Sequence, residues 1–532
     1  MSDKKKKKLI KILNEANHKY LKKHPLSKKG ITAYWLRNYL KKNTEFKEYD
    51  YVKIWGSFTE FKKEINYDRS SFDIIKDDSD KKIKRKYFIT SIIPDANGAS
   101  IDEEFFKSIE SYCKHNKAEL ILLSMRGVNL KDVYGSEIYD KYGKYFATEY
   151  IFNSNLKAMD FILNPQSMIP TTGIDRVGKK QFSIISASPK QFMQTIPGRK
   201  NALPHIIYTT GTMCEPKYKK TRNGILAEQD QLLGGLVVEV IDDSLFNIRN
   251  IVADEDKGFN DLNKYYSPDD KPIEMNIEAM VLGDLHYGSE DQQALDATYK
   301  MAKLMKPEAV MLHDLFDGLS VNPFNEDNML DKLKRKEHQK TLENELNYLG
   351  EKLKELLDET KVKNIYVIPS NHDNFLDKYI SSRRFINDEY NIVLSCKLFV
   401  AAVENKGSII EYYLKDIKKY DFDNIHFLNP DDSFEYKGIE FNVHGHRGAN
   451  GAKGSTRSLA KIYSKVIAGH SHTPEIFRDV YKVGCLCKLD QPYNKGQGLS
   501  WLHGNCIVHK NGTRQMILII DGRWSIDNDE RE

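Results

Sequence analysis

The chain has 532 residues, of which 30% are charged and 40% hydrophobic, with a formal net charge of +5. This is an ordinary globular composition with room for about three domains of roughly 100–200 residues each. No run approaches the roughly 18 apolar residues of a membrane span, and the lysine-rich start lacks the apolar core of a signal peptide, so a cytoplasmic protein without a membrane partner is expected. The six cysteines (Cys113, Cys214, Cys396, Cys485, Cys487 and Cys506) include no Cys-x-x-Cys pair and are expected to be free, reduced thiols.

Charge is unevenly distributed. Residues 1–70 hold 19 Lys and Arg against 8 Asp and Glu, whereas the remaining 462 hold 62 against 68. Lys4, Lys5, Lys6, Lys7 and Lys8 form an uninterrupted run expected to be mobile and solvated, either a solubilising tail or an arm for DNA. Apolar residues recur at helical spacing over Leu9–Leu21, Ile31–Leu40 and Tyr51–Ile65. The last of these carries Trp55-Gly56-Ser57-Phe58, followed by Phe61, and the unit resembles the helix-turn-helix repeats attached to homing endonucleases. That resemblance implies DNA binding by phosphate neutralisation, with a protein-docking module as the alternative.

Residues 71–86, almost wholly charged from Asp77 to Lys86, are expected to be a linker. The strand Tyr87–Ile93, helix Asp102–His115 and strand Glu119–Ser124 then suggest a βαβ unit. It opens a middle α/β domain, 87–270, with further strands at Ser183–Ser188, Ile206–Thr210 and Leu233–Ile241. Thr209-Thr210-Gly211-Thr212 lacks a Walker lysine and is expected to be structural, and the domain is expected to shape a substrate channel or an oligomer interface. Polar, turn-rich Asp256–Asp270 leads into a last domain, 271–532, where a long amphipathic helix is expected over Leu330–Leu357.

The last domain carries five short motifs: Gly283-Asp284-Leu285-His286, His313-Asp314-Leu315-Phe316-Asp317, Ser370-Asn371-His372-Asp373, Val443-His444-Gly445-His446 and Gly469-His470-Ser471-His472. Each follows an apolar run that reads as a buried strand, so polar side chains from distant segments should converge at strand ends. Two divalent cations roughly 3.5–4 Å apart can clamp both oxygens of an in-line displacement at phosphorus, and they need a shared carboxylate. Asp, Asn and neutral His suit manganese, iron or zinc, and no thiolate lies in any motif, which argues against a structural zinc site.

In these residues the chain resembles the calcineurin-like metallophosphoesterases. The resemblance implies that Asp284 and His286 bind a first metal with His472, that Asp314 bridges, and that Asn371, His444 and His470 hold a second. It further implies that His372 is the general acid and that Asp317 and Asp373 orient ligands. The cofactors implied are two divalent ions, Mn2+ foremost, with Fe2+, Zn2+ or Mg2+ as rivals. Two positions depart from the family pattern, since His313 and Ser370 stand where glycine is usual. His444 is preferred to His446 as ligand because it directly ends its strand. His313 and His446 themselves are expected to be satisfied core histidines.

The loop after His444 holds Arg447, Lys453 and Arg457 among small residues, and is read either as a phosphodiester-binding surface or as a glycine-rich surface loop. Tyr493-Asn494-Lys495-Gly496 and Trp501 either stack on a base or pack.

The expected architecture is multidomain α/β: a small helical head at 1–70, the middle α/β domain, and a calcineurin-like four-layer α/β/β/α domain at the C-terminus. The catalytic logic resembles that of SbcD-type nucleases. The pattern after Gly469 also resembles phage-encoded members, the pre-early proteins with which tequintavirus-type phages degrade host DNA. A two-metal DNase acting in a host bacterial cytoplasm is therefore expected, with a homo-oligomer plausible. The alternatives are a small-molecule phosphodiesterase or phosphatase, and a non-enzymatic DNA-binding host-takeover protein.

Overall fold

A computed structural model describes residues 3–23, 33–43, 74–81, 84–93, 100–125, 138, 141–161, 163–177, 181–198, 204–269, 271–323, 341–491, 494 and 496–528. The expected helix Tyr51–Ile65 with its Trp55-Gly56-Ser57-Phe58 element lies outside these residues.

The apolar runs that precede the first three motifs become neighbouring strands. Six strands are hydrogen-bonded in the order Ile425–Phe427, Asn364–Val367, Ala309–Leu312, Ile277–Val281, His503–His509 and Arg514–Ile519. The first four run parallel, and the last two form an antiparallel extension. Parallel neighbours need crossovers, supplied here by the helices Gln292–Met305 and Leu342–Thr360. Asp291 and Thr341 cap their N-termini by accepting backbone N–H bonds from Ala294 and Asn344, and Lys306 and Lys361 end them in left-handed conformation. Leu342, Leu346, Leu349, Leu353 and Leu356 recur every three or four residues and pack with Met280, Leu282, Val310 and Leu312 of the sheet. Truncating any one of them to alanine should cost about 2–5 kcal/mol. The described helix starts at Leu342 rather than Leu330; residues 324–340 are not described.

Successive strand side chains face opposite ways, so Ala279 and Val281 belong to a different core from Met280 and Leu282. They join Met311, Val508, Met516 and Leu518 and meet Ile439, Ile467, Tyr481 and Val483 from a second sheet. On the far side of that sheet Leu459, in the helix Thr456–Ile462, packs on Val466, Ala468 and Val480. This region is thus layered helix, sheet, sheet, helix.

The second sheet has eleven strands and crosses the boundary expected near residue 270. Glu475–Phe477 pairs antiparallel with Phe192–Ile196, setting Phe477 opposite Phe192 with ring centroids 5.2 Å apart. The middle and last regions therefore share one sheet and one apolar cluster. The expected βαβ unit is present as Arg85–Ile92, Glu103–Asn116 and Glu119–Ser124, within a five-stranded sheet. A buried ion network ties this region to the last strand. Arg249 meets Asp261 at 2.8 Å and Glu239 at 2.9 Å, while Gln515 donates to Asp261 at 3.1 Å.

Two expectations about charged segments are corrected. Within the supposed linker, Ile75–Asp77 pairs with Glu149–Asn153, and Asp78 accepts bonds from Tyr87 and Tyr150 at 2.7 and 2.9 Å while pairing with Arg85 at 3.0 Å. Asp78 also pairs with Lys81 of the same segment, while Lys86 pairs with Glu239 and Asp527, which suits ordered backbone. The run Lys4 to Lys8 is not a separate mobile arm: it occupies the first turns of the helix Asp3–Lys23. That helix and Ala33–Asn43 bury Leu9, Leu13, Ala16, Leu36 and Leu40. Among the described residues no helix is long and apolar enough to cross a membrane.

Candidate metal centre

All seven expected ligands converge at the strand ends, and the way each is held shows how. Gly283 donates its N–H to Asn505 Oδ1 at 2.9 Å, and a Cβ there would lie 2.9 Å from the Cys485 backbone and the Gly504 carbonyl, so only glycine lets the chain turn into Asp284. His286, Asp314, His470 and His472 all have positive φ, at 47°, 44°, 75° and 54°. Non-glycine residues avoid this region, and its recurrence in four converging residues marks strain held for a purpose.

The donor atoms form two groups joined by one carboxylate. In the first, His472 Nε2 lies 3.3 Å from Asp284 Oδ2 and 3.0 Å from His286 Nε2. In the second, Asn371 Oδ1 lies 3.0 Å from His444 Nε2 and 2.9 Å from His470 Nδ1. Asp314 Oδ2 sits between them, 3.4 Å from His286 Nε2 and 3.2 Å from His444 Nε2. Asp284 is fully buried and, among the described residues, neither of its oxygens has a hydrogen-bond partner, the nearest recorded group being the His472 ring. Such a carboxylate is costly unless a positive charge faces it. Burial and then Asp314 push its pKa up. For Asp314 burial acts the same way, but His444 and His286 outweigh it and hold the carboxyl well below its usual range. Burial opposes a charge on His286, yet Asp314 and Asp317 raise it to about 10. His470 is pushed down to about 3 by burial and His444. Divalent cations among these atoms would face the buried carboxylates and replace protons as the positive charge, so the donor set fits metal ions.

The supporting residues fall into place as well. Asp317 takes a bond from Ser289 Oγ at 2.9 Å and lies 3.4 Å from His286 Nδ1, orienting that ring. Asp373 accepts from the Phe316 N–H at 3.0 Å and from Ser370 Oγ at 2.8 Å, and burial with Asp314 nearby raises it to about 7. Ser370 thus anchors Asp373. His372 Nδ1 is 3.1 Å from the Asp317 carbonyl, which fixes the neutral ring with its lone pair on Nε2, and burial lowers its pKa. Its ring centroid lies 4.4 Å from that of His286.

Three histidine and cysteine positions differ from expectation. His313 is wholly buried beside the centre, with Nδ1 3.4 Å from His444 Nδ1 and its Nε2 without a hydrogen-bond partner among the described residues. His446 is not a satisfied core residue, since neither ring nitrogen has a hydrogen-bond partner among the described residues, and its centroid lies 5.5 Å from that of His444. Burial and His444 push it down to about 4. His444, as preferred, is the one whose Nε2 reaches Asp314 and Asn371. A thiol, unforeseen, also reaches the cluster: Cys487 groups with His286 and His472 within 4.8 Å. The alternation Cys485-x-Cys487, which sets two thiols on one side of an extended segment, was the available signal.

Arg447 and Lys453 are exposed on the loop that follows, and Arg457 is exposed in the first turn of the helix Thr456–Ile462. That loop folds back on the ligand segment, with the Gly454 N–H donating to the His446 carbonyl at 3.0 Å. Trp501 packs edge-on to His472 at 4.2 Å between centroids. Tyr493 and Lys495, and the side chains of Lys4 to Lys8, lie outside the described residues. In the Thr209–Gly211 turn, Thr209 Oγ1 donates to the Lys190 carbonyl at 2.6 Å and Thr210 Oγ1 to the Gly211 carbonyl at 2.7 Å.

Fold and site together define a mixed α/β protein with a buried His/Asp/Asn centre, at parallel strand ends, suited to metal ions. The chain is similar to Protein A1 of Escherichia phage T5, 26% identical over 468 residues that cover 83% of each chain. No family model matches it.

Proposed function

We propose that this chain is a two-metal-dependent deoxyribonuclease of calcineurin-like type, a phage early protein that degrades host DNA. The observation carrying the reading is Asp314 placed between two imidazole-bearing groups, His286 with His472 and His444 with His470. Asp284, His286, His472 and Asp314 would hold one cation, and Asp314, Asn371, His444 and His470 the other. Two bound cations would neutralise a phosphodiester and supply hydroxide at neutral pH. A ring nitrogen of His372 lies within 4.8 Å of donor atoms of His286 and Asp314, while its Nδ1 bonds the Asp317 carbonyl. Its neutral ring takes up a proton only with an anion alongside, which suits delivery of that proton to the departing 3′ or 5′ oxygen. Arg447, Lys453 and Arg457 would track the phosphate backbone. Similarity to a phage protein of comparable length supports the host-DNA setting.

Activity on a small diester alone would instead favour a phosphodiesterase, and metal binding without hydrolysis a non-enzymatic DNA-binding protein. The deciding experiment is Mn2+-dependent degradation of linear and closed-circular duplex DNA beside a small chromogenic diester, for wild type and Asp314→Ala. DNA loss with wild type only supports the proposal. Untouched DNA with diester turnover sinks it.

A further inference from the structure

The segment Gly484–Lys488 is fastened along the Asp284–Asp291 loop by four backbone hydrogen bonds: Asp284 N–H to Gly484, Leu486 N–H to Asp284, Asp291 N–H to Leu486 and Lys488 N–H to Ser289, at 2.8–3.1 Å. On its other flank His503 Nε2 bonds the Cys487 carbonyl at 3.0 Å. Cys487 is 1% exposed and its position is set by this frame. The sulfur lies 3.9 Å from His472 Nδ1 and groups with His286 within 4.8 Å, while Nε2 of the His472 ring is the atom facing Asp284 and His286. An imidazole that offers its Nε2 lone pair to a cation must carry its proton on Nδ1, and a buried N–H needs an acceptor. Among the described residues the Cys487 sulfur is the acceptor recorded for that proton.

We propose that Cys487 is a positioning residue of the first cation position: its sulfur accepts the Nδ1–H of His472, fixes the tautomer that presents Nε2 to the cation, and makes that nitrogen a stronger donor. A carboxylate or carbonyl commonly fills this place. Sulfur is larger and more polarisable, which suits the long contact. This rests on the reading of the cluster as a two-cation centre.

The test uses the full chain as wild type, Cys487→Ala, Cys487→Ser and Cys485→Ala, with Mn2+ and Co2+ affinities measured by calorimetry and the Co2+ absorption spectrum recorded. Wild type should bind two cations. Cys487→Ala should weaken one of the two by about 10–100-fold and leave the other unchanged. Cys487→Ser, which keeps an acceptor, should recover part of the loss, and Cys485→Ala, which removes a neighbouring buried thiol, should bind as wild type does. Wild-type affinities in Cys487→Ala, or an equal loss in Cys485→Ala, would overturn the proposal. So would a thiolate-to-cobalt charge-transfer band that vanishes in Cys487→Ser, because it would make the sulfur a direct ligand. A wild type that binds no cation would instead overturn the two-cation reading itself.

Discussion

Asp314 is the residue on which both groups of donors depend, so Asp314→Ala should uncouple metal from stability as well as from activity. Ligand that binds only the folded state stabilises it by about 2.7 kcal/mol at a hundredfold excess over Kd, hence by about 5 kcal/mol for two independent sites. With about 2.1 cal/mol/K of unfolding entropy per residue, the 532-residue chain melts with about 1.1 kcal/mol/K if it unfolds as one unit. The expected Mn2+ shift is therefore about 5 °C, or about 10 °C if only half the chain unfolds with the centre. The variant lacks the carboxylate that lies 3.4 Å from His286 and 3.2 Å from His444, and should lose nearly all of that shift. Its melting point without metal should change less, because removal of one buried carboxylate also relieves repulsion with Asp284. Scanning calorimetry with chelator and with saturating Mn2+ measures both. A Mn2+ shift in Asp314→Ala as large as in wild type would refute the shared-carboxylate argument.

His372→Ala should retain the Mn2+ shift and lose about 10²–10⁴-fold in turnover of DNA, with a much smaller loss on a diester whose leaving group needs no proton; equal losses on both would remove the acid role. Replacing Arg447, Lys453 and Arg457 together by alanine should reduce the slope of log K against log salt by about 2.7, since each phosphate contact contributes about 0.9. An unchanged slope would mean that the loop does not touch DNA. Burial opposes the charge on Asp261, but Arg249 beside it holds the carboxyl below 3.8. Its stabilisation is therefore fully present above about pH 4 and is lost as pH falls through the depressed value. Asp261→Asn should cost about 3–5 kcal/mol at pH 6 and flatten the acid limb of a urea-midpoint profile. A variant as acid-sensitive as wild type would contradict the network.

Much of the centre was legible because its information is local. A ligand at a strand end is announced by the apolar run before it, and a cation's preference for carboxylate, amide and imidazole oxygens and nitrogens restricts the residue types. The motifs that hold Asp284, His286, Asp314, Asn371, His444, His470 and His472 therefore stood out in order, their roles as ligands being implied by family resemblance, and the βαβ unit was equally readable, since strand, helix and strand each carry their own periodicity. Asp317 and Asp373 could be expected beside the centre, but not given partners.

What the tertiary structure decided depends on contacts between distant segments. Pairing of Phe192–Ile196 with Glu475–Phe477, which makes one sheet of two expected domains, leaves no mark in either strand, because a ladder is built from backbone groups that every residue has. The run Lys4 to Lys8 looked mobile from its charge, yet lies on a helix whose apolar face at Leu9, Leu13 and Ala16 is buried. Asp78 looked solvated until Tyr87, Tyr150 and Arg85 were brought around it. Cys487 belongs to no motif, and became part of the centre only because the Asp284–Asp291 loop carries a second segment along its length. The order of the candidate motifs along the chain was a property of the sequence by itself, since local hydrophobic pattern and donor-type residues are read segment by segment. The arrangement of their supports was not, because it rests on long-range backbone pairing and on burial that no single segment encodes.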